Sequence, residues 1–408
     1  MLYSMYETNK LAAASIRQQA YFTRSFLEVS SIFCADWPIN KAAASHLDYI
    51  DFVTRPFHKP AFDIDSVIVD GCEVPVVEEV VLQKAFCNLL SFKRIATDKV
   101  EDKILIVAPM SGHFSTLVKE TVQRMLEHYD VYVTDWIDAA QVPTDSGRFD
   151  LDDYVDYCRD FMQLLGPDLH VFAVCQPGPP VLAAIALMSE DEDACVPKSM
   201  VLFGCPIDPR INATEPYKFS QQNSLQLLEQ TVVHQVPQTL PGAGRSVYPG
   251  FLQLSSFLSM NLGRHCQSYA DYYQNLLSQN FSESDSHEDF YSNYNAVMDM
   301  TAEFYLQTID RVFKKAEIAT NTMTHRGRLV KPALITKTRL MTIEGEKDDI
   351  TGQGQTLAAH DLCTRLSAVD RHHHLQHGAG HYGIFSGRRW KNEIAPEIIK
   401  FIEAGSSM

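Results

Sequence analysis

The stretch that decides the fold is His170-Val171-Phe172-Ala173-Val174-Cys175-Gln176-Pro177-Gly178-Pro179-Pro180. Val171 to Val174 reads as a buried strand, and the run stops at Cys175 before a proline-glycine corner. Beyond the corner, Val181-Leu182-Ala183-Ala184-Ile185-Ala186-Leu187-Met188 reads as a buried helix. Strand, cysteine, tight turn and helix together make an elbow that lifts a reactive side chain clear of a sheet edge. Such an elbow needs compact residues two positions to either side of the nucleophile. Ala173 is small, and Pro177 suits a first helical turn, where its missing N–H costs nothing. Gly178 is positioned to absorb remaining backbone strain. Cys175 is therefore the candidate nucleophile. The plainer alternative is a strand-end cysteine packed as a small hydrophobe.

Composition bounds what surrounds this elbow. The chain has 408 residues, 45% of them hydrophobic, which suffices for one large α/β domain with an elaborate insertion. Its formal charge of -16 argues against nucleic acid or anionic lipid as the main partner. The nine cysteines are odd in number and contain no Cys-x-x-Cys, so neither a disulfide framework nor a metal site is expected. No leader-like segment or membrane-length apolar run is evident, and a reducing, cytoplasmic setting is the expectation. The sequons Asn212-Ala213-Thr214 and Asn280-Phe281-Ser282 would be idle there.

Residues 1–62 read as an N-terminal helical segment, in which Leu2, Met5, Tyr6, Leu11, Ala14 and Ile16 form a ragged apolar face expected to pack on the domain, a surface-binding amphipathic segment being the alternative. Ser66-Val67-Ile68-Val69, the turn Asp70-Gly71 and the run Glu73 to Val81 read as antiparallel strands. Lys103 to Val107, Val131 to Trp136, the elbow strand and Ser199 to Phe203 then alternate with helices, one of them spanning Leu151 to Leu165. That spacing implies a mainly parallel sheet. From residue 209 to residue 331 the alternation breaks into helical, aromatic-rich sequence, a large and mostly helical cap insertion. Within it, Gly250 to Leu254 leads into Phe257, Leu258 and Met260, an apolar cluster that could face substrate, with Phe251 and Leu252 as the chosen candidates. The sheet resumes with Thr338 to Ile343, so residues 63–208 and 332–408 form the two parts of one core.

After the resumed strand comes Glu344-Gly345-Glu346-Lys347-Asp348-Asp349-Ile350, and later Gly378-Ala379-Gly380-His381-Tyr382-Gly383. The order nucleophile, acid, histidine is that of the α/β-hydrolase fold. A thiol attacks as its thiolate, so a base is required. His381 is the candidate base, and Asp348 is the expected acid that orients it, with Asp349 kept as an alternative. Two N–H donors are needed for the oxyanion. Gln176 supplies one, and Ser111 in Met110-Ser111-Gly112-His113 is the candidate for the other, with His113 as a candidate pocket residue. His372, His373 and His374 lack the ligand spacing of a zinc site and read as a strand-edge run. Cys205 is a weaker rival nucleophile, because Pro206-Ile207-Asp208-Pro209 begins no clean helix after it.

These residues also carry a resemblance. The segments Ala108 to His113, Val174 to Gly178, Gly204-Cys205-Pro206-Ile207-Asp208, Pro249 to Leu254, Ala296-Val297-Met298-Asp299, Glu344 to Ile350 and Gly380 to Gly387 together resemble the intracellular polyhydroxybutyrate depolymerase family. The resemblance implies a cysteine nucleophile with aspartate and histidine, roles that fall on Cys175, Asp348 and His381. It implies ester cleavage on amorphous storage granules inside bacteria, with no resident cofactor and with water or coenzyme A as acyl acceptor. A homodimer is left open. Two departures stand out, Cys205 where a glycine is expected and His377 where a proline is expected. One alternative is a polymer synthase, whose Gly-x-Cys-x-Gly box is not matched by Ala173 and Pro177. Another is a granule-coating scaffold with an inert elbow.

Overall fold

The computed structural model describes residues 2–34, 38–95 and 102–406. In chain order the strands are β1 (Ser66–Val69), β2 (Cys72–Gln83), β3 (Cys87–Arg94), β4 (Lys103–Val107), β5 (Asp130–Trp136), β6 (Leu169–Val174) and β7 (Ser199–Phe203). Short strands β8 (His234–Gln235), β9 (Ser246–Tyr248), β10 (Met300–Thr301), β11 (Thr324–His325) and β12 (Arg328–Leu329) belong to the insertion, and β13 (Arg339–Gly345) and β14 (Arg371–Gln376) follow it. The main sheet is nine-stranded, in the order β1-β2-β3-β5-β4-β6-β7-β13-β14. Pairing is antiparallel from β1 through the β3–β5 contact and parallel from β5 to β14. This is the α/β-hydrolase fold preceded by one extra hairpin strand. His372, His373 and His374 lie on its edge strand.

Burial on both faces explains the strand sequences. On β6, Val171 and Ala173 pack against α4 (Leu151–Leu165) and α5 (Gly178–Glu190). Phe172 and Val174 pack against α3 (Lys119–Met125) and the C-terminal helix Ala395–Ser406. Such strands read as continuous apolar runs because no position faces water. Every residue of α5 from Gly178 to Met188 is buried, which is why its sequence is apolar all round rather than amphipathic.

The elbow differs from the sequence expectation in one respect. Backbone strain rests on Cys175 itself, at φ +67°, and Gly178 serves close approach instead. A Cβ on Gly178 would lie 2.3 Å from the Cβ of Cys205, so the cysteine that replaces the expected glycine fills the gap beside α5. The other departure, His377, is exposed and pairs with Glu346 at 3.5 Å.

Between β7 and β13 the insertion contributes α6 (Glu215–Gln222), α7 (Leu225–Val232), α8 (Gly250–Met260), α9 (Leu262–Ser278), α10 (Phe281–Asn295) and α11 (Ala302–Gln307). It is docked on the core through a buried polar hub. Asp299 accepts from Tyr3 Oη at 2.8 Å and from the Gly250 N–H at 2.8 Å, while its own N–H donates to Asp138 at 3.2 Å. One acidic pair thus joins the N-terminus, α8, β10 and the loop after β5.

The N-terminal helices α1 (Leu2–Cys34) and α2 (Pro38–Thr54) lie against each other, and α2 lies against α9. Here the sequence reading is corrected. The apolar face expected to pack is turned outward, with Leu2, Met5, Leu11 and Ile16 exposed and Tyr6 and Ala14 only half-buried. Orientation is set by other contacts. Tyr3 is buried at the hub, Tyr6 stacks on Phe251 with ring centroids 4.2 Å apart, and Arg24 pairs with Asp48 of α2.

Burial, followed by the neighbouring Asp299 charge, pushes the Asp138 carboxyl up to about 7. The folded chain therefore holds this proton more tightly than the unfolded chain, whose aspartates titrate near about 3.9. Stability contributed here falls as pH rises from about 4 to about 7. Asp138→Asn, which keeps the acceptor for Ala140 and Asp299, should raise the melting temperature more at pH 8 than at pH 5, as read by thermal denaturation at the two pH values.

Candidate active site

β6 ends at Val174, and the next residue sits in the left-handed region that only a tightly held chain imposes on a side-chain-bearing residue, at a cost of about 1–2 kcal/mol. The Cys175 N–H donates to Phe203 O at 2.8 Å, anchoring the elbow to β7. Cys175 is half-buried and lines a cavity of about 620 Å³ together with His381, Ser111 and Gln176. Cys205 is fully buried behind the elbow, its Sγ 3.3 Å from Ala173 O, and burial pushes its thiol well above the usual range. That thiol is inert at neutral pH.

His381 Nδ1 donates to Asp348 Oδ2 at 2.7 Å. The other aspartate oxygen, Oδ1, accepts from the N–H groups of Ile350 at 2.9 Å and Thr351 at 2.8 Å, which fixes the carboxylate. Asp349 faces the other way and accepts from Asn261 at 2.6 Å. Of the two aspartates kept in view by the sequence, the structure brings Asp348 to the histidine. Burial by itself lowers the pKa of His381, but the Asp348 carboxylate and the Cys175 sulfur, through charge and hydrogen bonds, outweigh it and hold the ring well above its usual value. The protonated form of the ring is thus favoured.

A residue the sequence reading passed over steadies the acid. Glu344 is buried, and its carboxylate accepts the N–H groups of Gly354 at 2.8 Å, Thr356 at 2.8 Å and Leu357 at 3.0 Å. It cinches the loop that carries Asp348. Only its place in the Glu-Gly-Glu turn, next to the expected acid, signalled it.

The oxyanion loop after β4 is held from two sides. From the elbow, the Gln176 side chain accepts the Met110 N–H at 3.0 Å. Among the described residues, the backbone N–H groups of Gln176 and Ser111 donate to no protein acceptor, as an oxyanion site requires. From the cap, the Met298 N–H donates to Gly112 O at 2.7 Å, and His113 bridges to Val297. Gly112 is at φ +96°, and a Cβ there would strike Gln253 Oε1 at 2.6 Å. Gln253 in turn donates to Tyr248 O at 3.0 Å and Met298 O at 3.2 Å. His113, expected as a pocket residue, touches the cavity but acts as a brace. Its Nε2–H donates to Tyr294 O at 3.1 Å, and burial pulls its pKa down to about 4, so the ring is neutral at pH 7.

Phe251 and Leu252 do not line the cavity. Gln253, Ser256, Phe257 and Met260 do, at the i, i+3, i+4, i+7 spacing of one helical face, so Phe251 and Leu252 point elsewhere. Phe251 goes to Tyr3 and Tyr6, and Leu252 packs on the main core. Sequence alone marked the apolar character of α8 but not its phase. Apolar side chains from α8 and α11, such as Phe257, Met260, Phe304 and Tyr305, make the remaining walls. Among the described residues no cluster of metal-ligating side chains occurs.

Residues 204–406 match the family described as PHB de-polymerase C-terminus, a span that takes in the cap, Asp348 and His381 and begins after the elbow. The chain belongs to the polyhydroxybutyrate depolymerase family. By class it is a carboxylic ester hydrolase of the α/β-hydrolase superfamily. No curated protein sequence matches the chain. A monoacylglycerol lipase from Paleococcus ferrophilus is 12% identical, covering 78% of this chain and 99% of its own, at TM-score 0.45. An α/β hydrolase from Penicillium sp. sh18 is 13% identical over 82% of this chain and 99% of its own, at TM-score 0.47. A meta-cleavage product hydrolase from Pseudomonas fluorescens IP01 is 12% identical over 83% of this chain and 97% of its own, at TM-score 0.41. The fold of this depolymerase-family chain rests on its own strand order rather than on these distant likenesses.

Two predictions follow from the geometry. Asp348→Asn should lower the pKa of His381, because the carboxylate that opposes burial is then gone and only the Cys175 sulfur still does so; imidazole NMR titration reads it. Turnover should fall by about 10⁴. Gln253→Met should reduce kcat for ester cleavage by roughly 10 to 10² through a displaced oxyanion donor. Alkylation of Cys175 by iodoacetamide, which forms no oxyanion, should stay unchanged in that variant.

Proposed function

We propose that this chain depolymerises poly(3-hydroxybutyrate) by thioester catalysis. The observation that carries the reading is a cysteine held at φ +67° on the wall of an apolar cavity, with the His381–Asp348 pair at 2.7 Å beside it. His381 takes the thiol proton, and the Cys175 thiolate attacks an ester carbonyl of the polymer. The N–H groups of Gln176 and Ser111 receive the oxyanion as it forms. Collapse breaks the ester C–O bond, His381 returns its proton to the departing hydroxyl end, and a thioester remains on Cys175. Water or the thiol of coenzyme A then attacks that thioester, again giving its proton to His381. Cys175 is regenerated, and a 3-hydroxybutyrate unit, an oligomer or the coenzyme A thioester leaves.

The family match supports a polyester substrate, and the apolar walls suit a chain of uncharged ester units. The reading sets the enzyme at the surface of cytoplasmic storage granules. No described helix is long and apolar enough to cross a membrane. Release of soluble 3-hydroxybutyrate or its oligomers from amorphous particles tests the reading, with wild-type and Cys175→Ala protein, with and without coenzyme A. Release by wild type and its loss in Cys175→Ala, with the variant still folded by circular dichroism, is the expected outcome. Dependence on coenzyme A would make the reaction thiolytic. Undiminished release by Cys175→Ala would sink the mechanism, and growth of polymer from 3-hydroxybutyryl-coenzyme A would turn the reading to a synthase.

A further inference from the structure

We propose that the outer face of α1 is the surface by which the chain lies on its solid polyester substrate; this rests on the polymer reading above. The helix is built inside out. Leu2, Met5, Leu11, Ile16, Phe22 and Phe26 are each between 47% and 72% exposed. At 3.6 residues per turn they fall within about one half of the helix circumference and run for about 36 Å along the axis. The charged residues Glu7, Lys10, Arg17 and Arg24 all fall on the opposite half, where Glu7 pairs with Lys10 at 3.0 Å and Arg24 pairs with Asp48. A helix that keeps its charges off one half and holds large exposed apolar side chains there presents a contact surface rather than a solvated one.

Charge selects the occupant. Helices that bind anionic lipid interfaces carry available Lys and Arg along the polar flank, whereas here Lys10 is paired with Glu7 and Arg24 with Asp48, in a chain of net charge -16. A polyester of short hydroxy acids carries no charge and exposes methyl and ester groups, the chemistry this face matches. Position agrees with chemistry. α1 sits on Phe251 of α8, and the next turns of α8 line the catalytic cavity through Ser256, Phe257 and Met260. A surface held by α1 is thereby tied to a wall of the cavity that receives the chain.

The test uses the full-length protein and its L11Q/I16Q/F22Q/F26Q variant, sedimented with amorphous poly(3-hydroxybutyrate) particles and with phosphatidylcholine vesicles. Particle binding should weaken at least about tenfold in the variant, while hydrolysis of soluble p-nitrophenyl butyrate stays within about twofold. If the soluble rate falls further, F22E/F26E, which leaves the first four turns intact, replaces it as the deciding variant. Undiminished particle binding overturns the proposal, as does wild-type binding to vesicles equal to that on particles. A wild-type dimer that the variant loses, seen by sedimentation equilibrium, would hand the face to a second copy of the chain and also overturn it. Docking and chemistry separate cleanly. Cys175→Ala should still bind particles, and α1-dependent binding without release of acid would remove the hydrolytic reading while leaving the docking face in place.

Discussion

A cysteine at φ +67° between a buried strand and a buried helix is the constraint on which the rest of this structure depends. Left to itself the residue would relax by about 1–2 kcal/mol. It is kept there because β6 is paired on both sides and α5 is immersed in the core from Gly178 to Met188, so neither neighbour can move to relieve it. The hydrophobic content that makes the strands legible in the sequence is thus also what holds Cys175 in its strained pose. Cys205 belongs to that support, filling the space against Gly178 and leaving no gap under the elbow.

The cap contributes to the chemistry as a brace. Gly112 and His113 are bonded to Met298, Val297 and Tyr294, so the loop that carries Ser111 is fixed partly by the insertion and not by the sheet alone. Swinging the whole cap away would break the hydrogen bond to Gly112 O and shift Ser111 from its working position. The segment from Tyr294 to Asp299 is thereby held in place on the core. The hub of Asp138, Asp299 and Tyr3 fastens that same segment to the loop after β5 and to the N-terminus.

Much of this was readable in the chain. Strand positions, the helix Leu151–Leu165 and the order of Cys175, Asp348 and His381 follow from local patterns of period two, period 3.6 and turn residues, which one sequence displays directly. What was not readable depends on phase and on distant partners. α8 looked apolar throughout, and only its tertiary packing decides that Phe257 and Met260 meet the cavity while Phe251 meets Tyr6. Gln253 carries no local mark of its work, and Glu344 only its place beside the expected acid, because their partners are backbone groups elsewhere in the chain or across a turn. The N-terminal helix was read as packing through its apolar side, a sound rule for amphipathic helices that fails where a tyrosine hydrogen bond and an arginine ion pair set the rotation.

The way Glu344 is held has a consequence for ionic strength. Its carboxylate and that of Asp348 are tied by backbone N–H groups in a buried loop, where dissolved ions do not reach. The clasps at the outer rim are of another kind. Arg326 meets Asp153 at 2.7 Å with its own side chain 48% exposed, and Arg328 meets Glu190 at 2.7 Å in similar exposure. Mobile counterions weaken contacts of that sort first. A rising salt concentration therefore slackens the ties of the insertion to α4 and to the far end of α5, while the backbone ties that hold Asp348 and Glu344 persist.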